Sequence, residues 1–436
     1  MQTVKIIGAG LAGSEAAYYL GSRGVDVELV DMKPKKYTPA HENPDFGELV
    51  CSNSLKSDDV FGNACGLLKE EMRRLGSLTM RAAEESRVPA GGALAVDREK
   101  FAAYITAALK SCPHIHIVCE EAEELPQTGI VATGPLTAGK LYEAIEREFG
   151  GGLHFYDASA PIVSAESIDL EHTFTGDRYG KGTGDYINCP MTKEEYELFV
   201  SELLSAEKVT LHEFEKREIF EGCMPLEVMA SRGIDTLRYG TFKPVGLSDG
   251  EGKRPYAVLQ LRKEDCAGSA YNLVGCQTNL RFGEQKRVFS LIPALKNAEF
   301  LRYGVMHRNT YLQSPKLLNA DFSVKGRPGL YFAGQITGVE GYVESAMSGL
   351  LAGIHVWNRL NGKEVSLPQD TCMCGALSAY VAGAGSDFQP MNANYGVLRA
   401  GFPEVRDKKK KKQLLGERAL AEIERFRLTI FGEKES

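Results

Sequence analysis

The chain has 436 residues, 43% hydrophobic and 25% charged, which is enough apolar material for two or three packed cores and excludes a disordered or low-complexity protein. Its net charge of -7 argues against broad, non-specific nucleic-acid binding. No apolar run reaches the roughly 20 residues that a bilayer crossing needs, and Met1-Gln2-Thr3 leads straight into a strand-like run without a basic leader, so a cytoplasmic protein with no membrane partner is expected.

Val4-Lys5-Ile6-Ile7 reads as a short buried strand, followed at once by Gly8-Ala9-Gly10-Leu11-Ala12-Gly13. A helix is expected from Ser14 to Ser22, with Gly24 ending it, and then a second strand from Val25 to Val30 closed by Asp31. This is βαβ order. Residues 35–65, rich in Pro, Asn, Asp and Ser, read as a long loop. Asp97 is placed to cap a helix from Arg98 to about Lys110, and Gly129 to Gly134 reads as a strand entering a glycine turn.

From 184 to 322 the texture changes to acidic helical stretches, such as Thr192 to Leu204, mixed with strand-like runs such as Tyr256 to Leu261. Gly329 to Gly334 returns to a buried strand and glycine turn, Val343 to about Leu360 reads as a helix, and the last thirty residues read as a charged helix. The expected fold is α/β. A Rossmann-like domain is expected from 1–183 and 323–436, with an α+β domain inserted over 184–322.

Gly8, Gly10 and Gly13 match G-x-G-x-x-G in the context that gives the motif meaning: a strand before and a helix after. The first glycine permits the tight turn, the second lets a pyrophosphate approach the backbone, and the third lets helix and strand pack closely. The helix N-terminus offers unpaired N–H groups to the phosphates, and Asp31 is placed to accept hydrogen bonds from a ribose. Ala9, Leu11 and Ala12 complete the loop. NAD and FAD both fit this motif; its place at the chain's start favours FAD.

The ten cysteines lie at uneven spacings and do not read as a disulfide framework. Cys372-Met373-Cys374 is the one tight pair, read as ordinary thiols and not as a zinc site; no metal is expected. Lys408 to Lys412 are five consecutive lysines near Arg406, Arg418, Arg425 and Arg427. They are either a solvated face or a contact for the phosphates of a nucleic acid.

Leu330-Tyr331-Phe332-Ala333-Gly334-Gln335 resembles the late strand-plus-glycine motif of two-dinucleotide-fold flavoproteins, with Gln335 where those proteins usually carry Asp; Ala132-Thr133-Gly134 resembles their middle motif, and the resemblance implies an FAD-binding, Rossmann-like domain of that type. The run from Ala333 to Gly353 resembles the family that includes the wobble-uridine flavoprotein GidA/MnmG. Further segments resemble more closely the folate- and FAD-dependent tRNA (uracil-5-)-methyltransferases (TrmFO). These are Glu48 to Lys56, Val88 to Arg98, Phe220 to Pro225, Phe242 to Leu247 and Met306 to Tyr311. Chain length points to the same branch, because the wobble enzymes carry a large extra C-terminal helical region.

The resemblance implies methylation of uridine C5 in the tRNA T-loop (position fifty-four). It implies FAD bound at Gly8–Gly13, Asp31, Gly334, Gln335, Gly341 and Tyr342, with methylenetetrahydrofolate as carbon donor, NAD(P)H as reductant and no obligatory protein partner. Uracil C5 is a poor nucleophile until a thiolate adds to C6, so a reactive cysteine and a base are required. By the resemblance, Cys223 attacks C6 and Cys51, with Lys56 near it, is the partner and base; the two roles can be exchanged. His307, Arg308, Asn309 and Tyr311 are either a pterin and carboxylate site or a hydrogen-bonded turn. Glu344 is either a partner for pterin nitrogens or a first-turn helix acid. Lys243 and Arg281 are looser candidates for the folate tail or tRNA phosphate.

Overall fold

The computed structural model describes residues 3–150, 153–180, 183–209, 224–248, 252–364, 366–383, 385, 388–399 and 405–431. Its main sheet has six strands in the order Ser323–Val324, Arg327–Phe332, Gly129–Val131, Val4–Ile7, Val27–Asp31, Ile115–Cys119. All neighbours are parallel except the first pair. Ile6, Leu29 and Ile130 are fully buried, as parallel strands covered on both faces require. From Val4–Ile7 the chain passes through the helix Leu11–Gly21 to Val27–Asp31 on one side, while Gly129–Val131 pairs on the other. That divergence is the topological switch point where open α/β sheets bind ligands.

The helix Leu11–Gly21 starts three residues before the expected Ser14, because the glycine turn itself begins the helix. It packs along Tyr342–Leu360. Glycine makes this contact possible: a Cβ on Gly349 would lie 2.0 Å from the Ala12 carbonyl oxygen, and one on Gly353 3.2 Å from Ala16 Cα. Asp97 caps Arg98–Ser111 by accepting the Lys100 N–H. Thr192 caps Lys193–Ser205 through a reciprocal capping box with Glu195.

A second sheet is antiparallel throughout, in the order Phe174–Thr175, Ile187–Met191, Ala257–Lys263, Ala270–Leu273, Ile162–Ser164, Phe300–Arg302. The anticipated break at 183/184 falls inside this sheet, after Ile162–Ser164 and Phe174–Thr175. Strands of two or three residues are too short to show a period of two. An antiparallel ribbon of Leu153–Ala158 with Met306–Tyr311 is where the chain leaves the first sheet and returns to it.

The stretch 35–65 is not loop throughout. Ser54–Ser57 pairs with Ala93–Val96 in a three-stranded sheet, and a helix begins at Ala64. Only Leu55 is buried in that short strand, so nothing apolar announces it.

Two C-terminal helices, Met373–Gly383 and Lys408–Phe431, pack near the helix Ala64–Arg74. Glu71, fully buried, accepts the Met373 and Cys374 N–H groups, each at 2.8 Å. Cys372 and Cys374 are buried there, and burial pushes both thiols well up. Burial also pushes Glu71 up to about 7, although the two amides pull the other way. A carboxyl with a raised folded-state pKa stabilises below its unfolded value, and that contribution is lost as pH rises through the folded value. Between pH 4.5 and about 7 the wild-type protein therefore loses stability, of order 3 kcal/mol at most from this group. Glu71→Gln lacks this term, so its melting temperature relative to wild type is expected to climb across that window. A constant difference from pH 4.5 to 7.5 would rule the assignment out.

Candidate active site

The glycine turn has the geometry its spacing calls for. Gly8 has φ +98°, and a Cβ there would lie 2.6 Å from the Ala132 carbonyl oxygen; a Cβ on Gly13 would lie 1.8 Å from the Gly8 carbonyl oxygen. Gly10 has open space within 4 Å of its Cβ position and borders a cleft at the strand ends, also lined by Ala9, Leu11, Ala12, Asp31 and Gly334. Gly10 begins the helix without a side-chain cap, so its first-turn amides are available to an anion. These features fit a dinucleotide pyrophosphate.

Asp31 has a second duty that spacing alone does not reveal. Its Oδ2 accepts the Ala9 N–H at 2.7 Å and its Oδ1 accepts the Lys33 N–H at 2.9 Å, which ties the glycine turn to the end of the second strand. Each oxygen keeps acceptor capacity for a ribose hydroxyl.

At the other end of the cleft, Gly334 has φ +86° and donates its N–H to Ser348 Oγ at 2.7 Å. Gln335 brings no charge, but its Nε2 donates to the buried carboxylate of Glu340. Gly341 has φ +121°, and a Cβ there would lie 2.2 Å from Glu344 Oε2. Glu344 is 1% exposed; its Oε1 accepts the Ala393 N–H at 2.9 Å and lies 3.9 Å from Lys56 Nζ. Its carboxylate thus braces the loop around Ala393.

Cys51 lines the cleft together with Tyr342. The Tyr342 hydroxyl lies 3.0 Å from Cys51 Sγ and accepts the N–H groups of Cys51 at 2.7 Å and Ser52 at 3.2 Å. Arg98 supports the same segment: its Nη1 donates to the carbonyls of Leu49 at 3.0 Å and Val50 at 2.9 Å, and its Nε lies 2.7 Å from Glu264 Oε2. Burial works to lower the Arg98 pKa, but Glu264, then Tyr342 and Cys51, outweigh it and hold the guanidinium charged.

The inserted sheet reaches the same segment. Arg262 donates to Asn53 Oδ1 at 2.8 Å and Ser52 Oγ at 2.9 Å, while Asn53 Nδ2 donates to the carbonyls of Lys263 and Val96. Strands of the inserted sheet and of the three-stranded sheet therefore hold the loop that presents Cys51.

Asn309 also lines the cleft, from the ribbon strand Met306–Tyr311. Thr310 and Leu312 donate their N–H groups to the carbonyls of Pro135 and Ile336, which fixes the strand beside both glycine turns. Tyr311 is buried, its ring 6.0 Å from that of Phe388. His307 and Arg308 pair through their backbone with Asp157 and Tyr156. Cys223 lies outside the described residues. Lys243 and Arg281 do not line the cleft, and Arg281 pairs with Glu207 at 3.0 Å.

Sequence reading missed Arg98, Arg262, Asn53 and His41. His41 lines the cleft, its Nδ1 2.5 Å from Thr38 Oγ1, and burial lowers its pKa. The one available signal was that Asn53 and Arg98 fall inside the segments that carry the family resemblance.

Fold and cleft define a dinucleotide-binding α/β protein with a cysteine held at the edge of its nucleotide site. The family model described as "Glucose inhibited division protein A" matches residues 3–364. "Methylenetetrahydrofolate--tRNA-(uracil-5-)-methyltransferase TrmFO" of Desulfitobacterium hafniense (strain Y51) is 56% identical over 433 residues, covering 98% of this chain and 99% of that one. The protein of the same name from Acetivibrio thermocellus is 54% identical over 429 residues, covering 97% and 98%. The form II crystal structure of Aquifex aeolicus GidA shares the fold, with TM-score 0.72 at 16% identity, over 99% of this chain and 74% of that one. The chain belongs to the glucose inhibited division protein A family, in its TrmFO branch.

Proposed function

We propose that the protein methylates carbon 5 of a uridine in tRNA, taking the carbon from methylenetetrahydrofolate with FAD bound in the glycine-lined cleft. The observation that carries this reading is the presence of Cys51, hydrogen-bonded to Tyr342, in the same cleft as the two glycine turns. Relatives above 50% identity along almost the whole chain bear the corresponding name.

FAD when bound supplies redox chemistry and a carrier for the one-carbon unit. The protein's own part is to supply and hold the thiols. One cysteine sulfur bonds to uracil C6, which makes C5 nucleophilic. After C5 has bonded to the carbon unit, a second group takes the C5 proton as the bond between that carbon and its carrier breaks; a hydride equivalent drawn from NAD(P)H would reduce the resulting methylene to methyl, and loss of the sulfur from C6 restores the ring. Cys51 and Cys223 divide these two roles. Asn309, which lines the cleft, would orient a flat heterocycle by hydrogen bonds. NAD(P)H is the reductant in this reading, and the T-loop uridine is the target.

The direct test is nucleoside mass spectrometry on unmodified tRNA incubated with the FAD-loaded protein, NADPH and methylenetetrahydrofolate. New 5-methyluridine in the T-loop, made without S-adenosylmethionine, is expected. Flavin reduction with no 5-methyluridine would overturn the reading and favour wobble-uridine or plain redox chemistry.

The lysine run supports tRNA as the partner. Lys408 to Lys412 are all exposed in the first turns of Lys408–Phe431. Cations at a helix N-terminus oppose the dipole, and lysines three and four apart repel. Asp407 offsets part of this by accepting the Lys409 and Lys410 N–H groups; a polyanion would offset the rest. Reversing the five charges to Glu is expected to weaken tRNA binding at least about tenfold near 0.1 M salt and to flatten its salt dependence. Unchanged affinity in a filter-binding titration would remove the run from the tRNA surface.

A further inference from the structure

The contacts of the Tyr342 hydroxyl fix the direction of its hydrogen bond to sulfur. A phenol oxygen has one proton to give and lone pairs to receive. The N–H groups of Cys51 at 2.7 Å and Ser52 at 3.2 Å both donate into that oxygen. With its lone pairs so engaged, the hydroxyl meets Cys51 Sγ at 3.0 Å with its remaining asset, the proton. We propose that Tyr342 is a positioning residue that donates a hydrogen bond from its hydroxyl to Cys51 Sγ and so holds that sulfur ready as a thiolate.

The surroundings agree with this direction. Tyr342 stays protonated, since burial pushes its pKa well up and the negative charge of Cys51 adds to the effect. The charged groups around the segment come from four elements. Arg98, on the helix Arg98–Ser111, binds the Leu49 and Val50 carbonyls and pairs with Glu264. Arg262, on the strand Ala257–Lys263, binds Ser52 Oγ. Lys56, on Ser54–Ser57, pairs at 3.9 Å with Glu344 of the helix Tyr342–Leu360. Lys33 and Glu48, paired at 3.6 Å, and Asp31 line the same cleft, so cations and carboxylates offset one another there, and it is the hydrogen bond from Tyr342 that favours the thiolate.

The consequence for turnover rests on the methyltransferase reading, whereas the state of the sulfur does not. A thiolate at Cys51 serves either role: as nucleophile it has its electron pair ready for C6, and as base it can accept the C5 proton.

The test uses the full-length, FAD-loaded protein. The rate of Cys51 alkylation by iodoacetamide is followed against pH by peptide mass spectrometry, with Cys112 and Cys119, both half-buried, as internal references. The midpoint reports thiolate formation, and the plateau at high pH reports access. The expected wild-type midpoint lies below that of an ordinary thiol, about 8.5. In Tyr342→Phe it is expected to rise by a pH unit or more, and methylation at neutral pH to fall about tenfold and recover as pH is raised. A change in plateau alone would mean a structural role and overturn the proposal. A wild-type midpoint at or above that of an ordinary thiol would overturn it without any variant. If no methylation is found under any condition but the midpoints behave as expected, the assignment of substrate fails and that of the hydrogen bond stands.

Discussion

Cys51→Ala is expected to lower tRNA methylation by at least about a thousandfold, the scale of losing a covalent or proton-transfer group that works as part of a unit. FAD content and tRNA affinity should survive. The Cys51 and Ser52 amides still have the Tyr342 hydroxyl as acceptor, Arg98 still binds the carbonyls of Leu49 and Val50, and Arg262 still holds Asn53. The side chain removed is small and only half-buried, so the fold loses little. Methylation within tenfold of wild type would remove Cys51 from the chemistry.

The same variant divides the two cysteine roles. If Cys51 is the base, its loss leaves attack on C6 intact but blocks departure of the C5 proton, so a covalent protein–tRNA adduct accumulates on a denaturing gel. If Cys51 is the nucleophile, no adduct forms. Cys223→Ala is expected to give the opposite pattern.

What was legible in the sequence was mostly local. Gly8, Gly10 and Gly13 announce themselves because the strand, turn and helix that give the motif its meaning follow one another within a few residues. Asp97 was legible as a cap for the same reason: a helix start is satisfied within its first turn. The support of Cys51 is not local. Arg262 reaches Asn53 and Ser52 across some two hundred residues of chain, and Arg98 meets Glu264 from another element. No periodicity records such pairs.

Glu344 shows a limit of another kind. At the start of a helix an acid reads as a dipole partner or a ligand, yet its carboxylate is turned inward to the Ala393 amide and Lys56. Gln335 reads as the loss of a charge from a flavoprotein motif, but Glu340 brings a carboxylate to the same place five residues later. The edge of the inserted sheet was hidden because its earliest strands are only two or three residues long.

Gly349→Val should be the most damaging single change to the nucleotide-binding unit. The helix Leu11–Gly21 follows directly on the glycine turn, and it is held against Tyr342–Leu360, which carries Tyr342. A Cβ at 349 would stand 2.0 Å from the Ala12 carbonyl oxygen and 2.5 Å from Ala12 Cα. Those are backbone atoms, so no rotamer change relieves the clash, and the helices must separate. Overpacking that displaces backbone costs about 1–3 kcal/mol or more, a large part of the 5–15 kcal/mol that keeps a typical domain folded. Separation would also shift Gly10 and Tyr342 relative to each other, so FAD retention should fall before the fold is lost. The expected preparation is pale and poorly soluble, and any soluble fraction should melt well below wild type and take up added FAD weakly. A yellow Gly349→Val protein with a wild-type melting temperature would mean that the two helices have room to move apart, and that their close approach does not hold the cleft in shape.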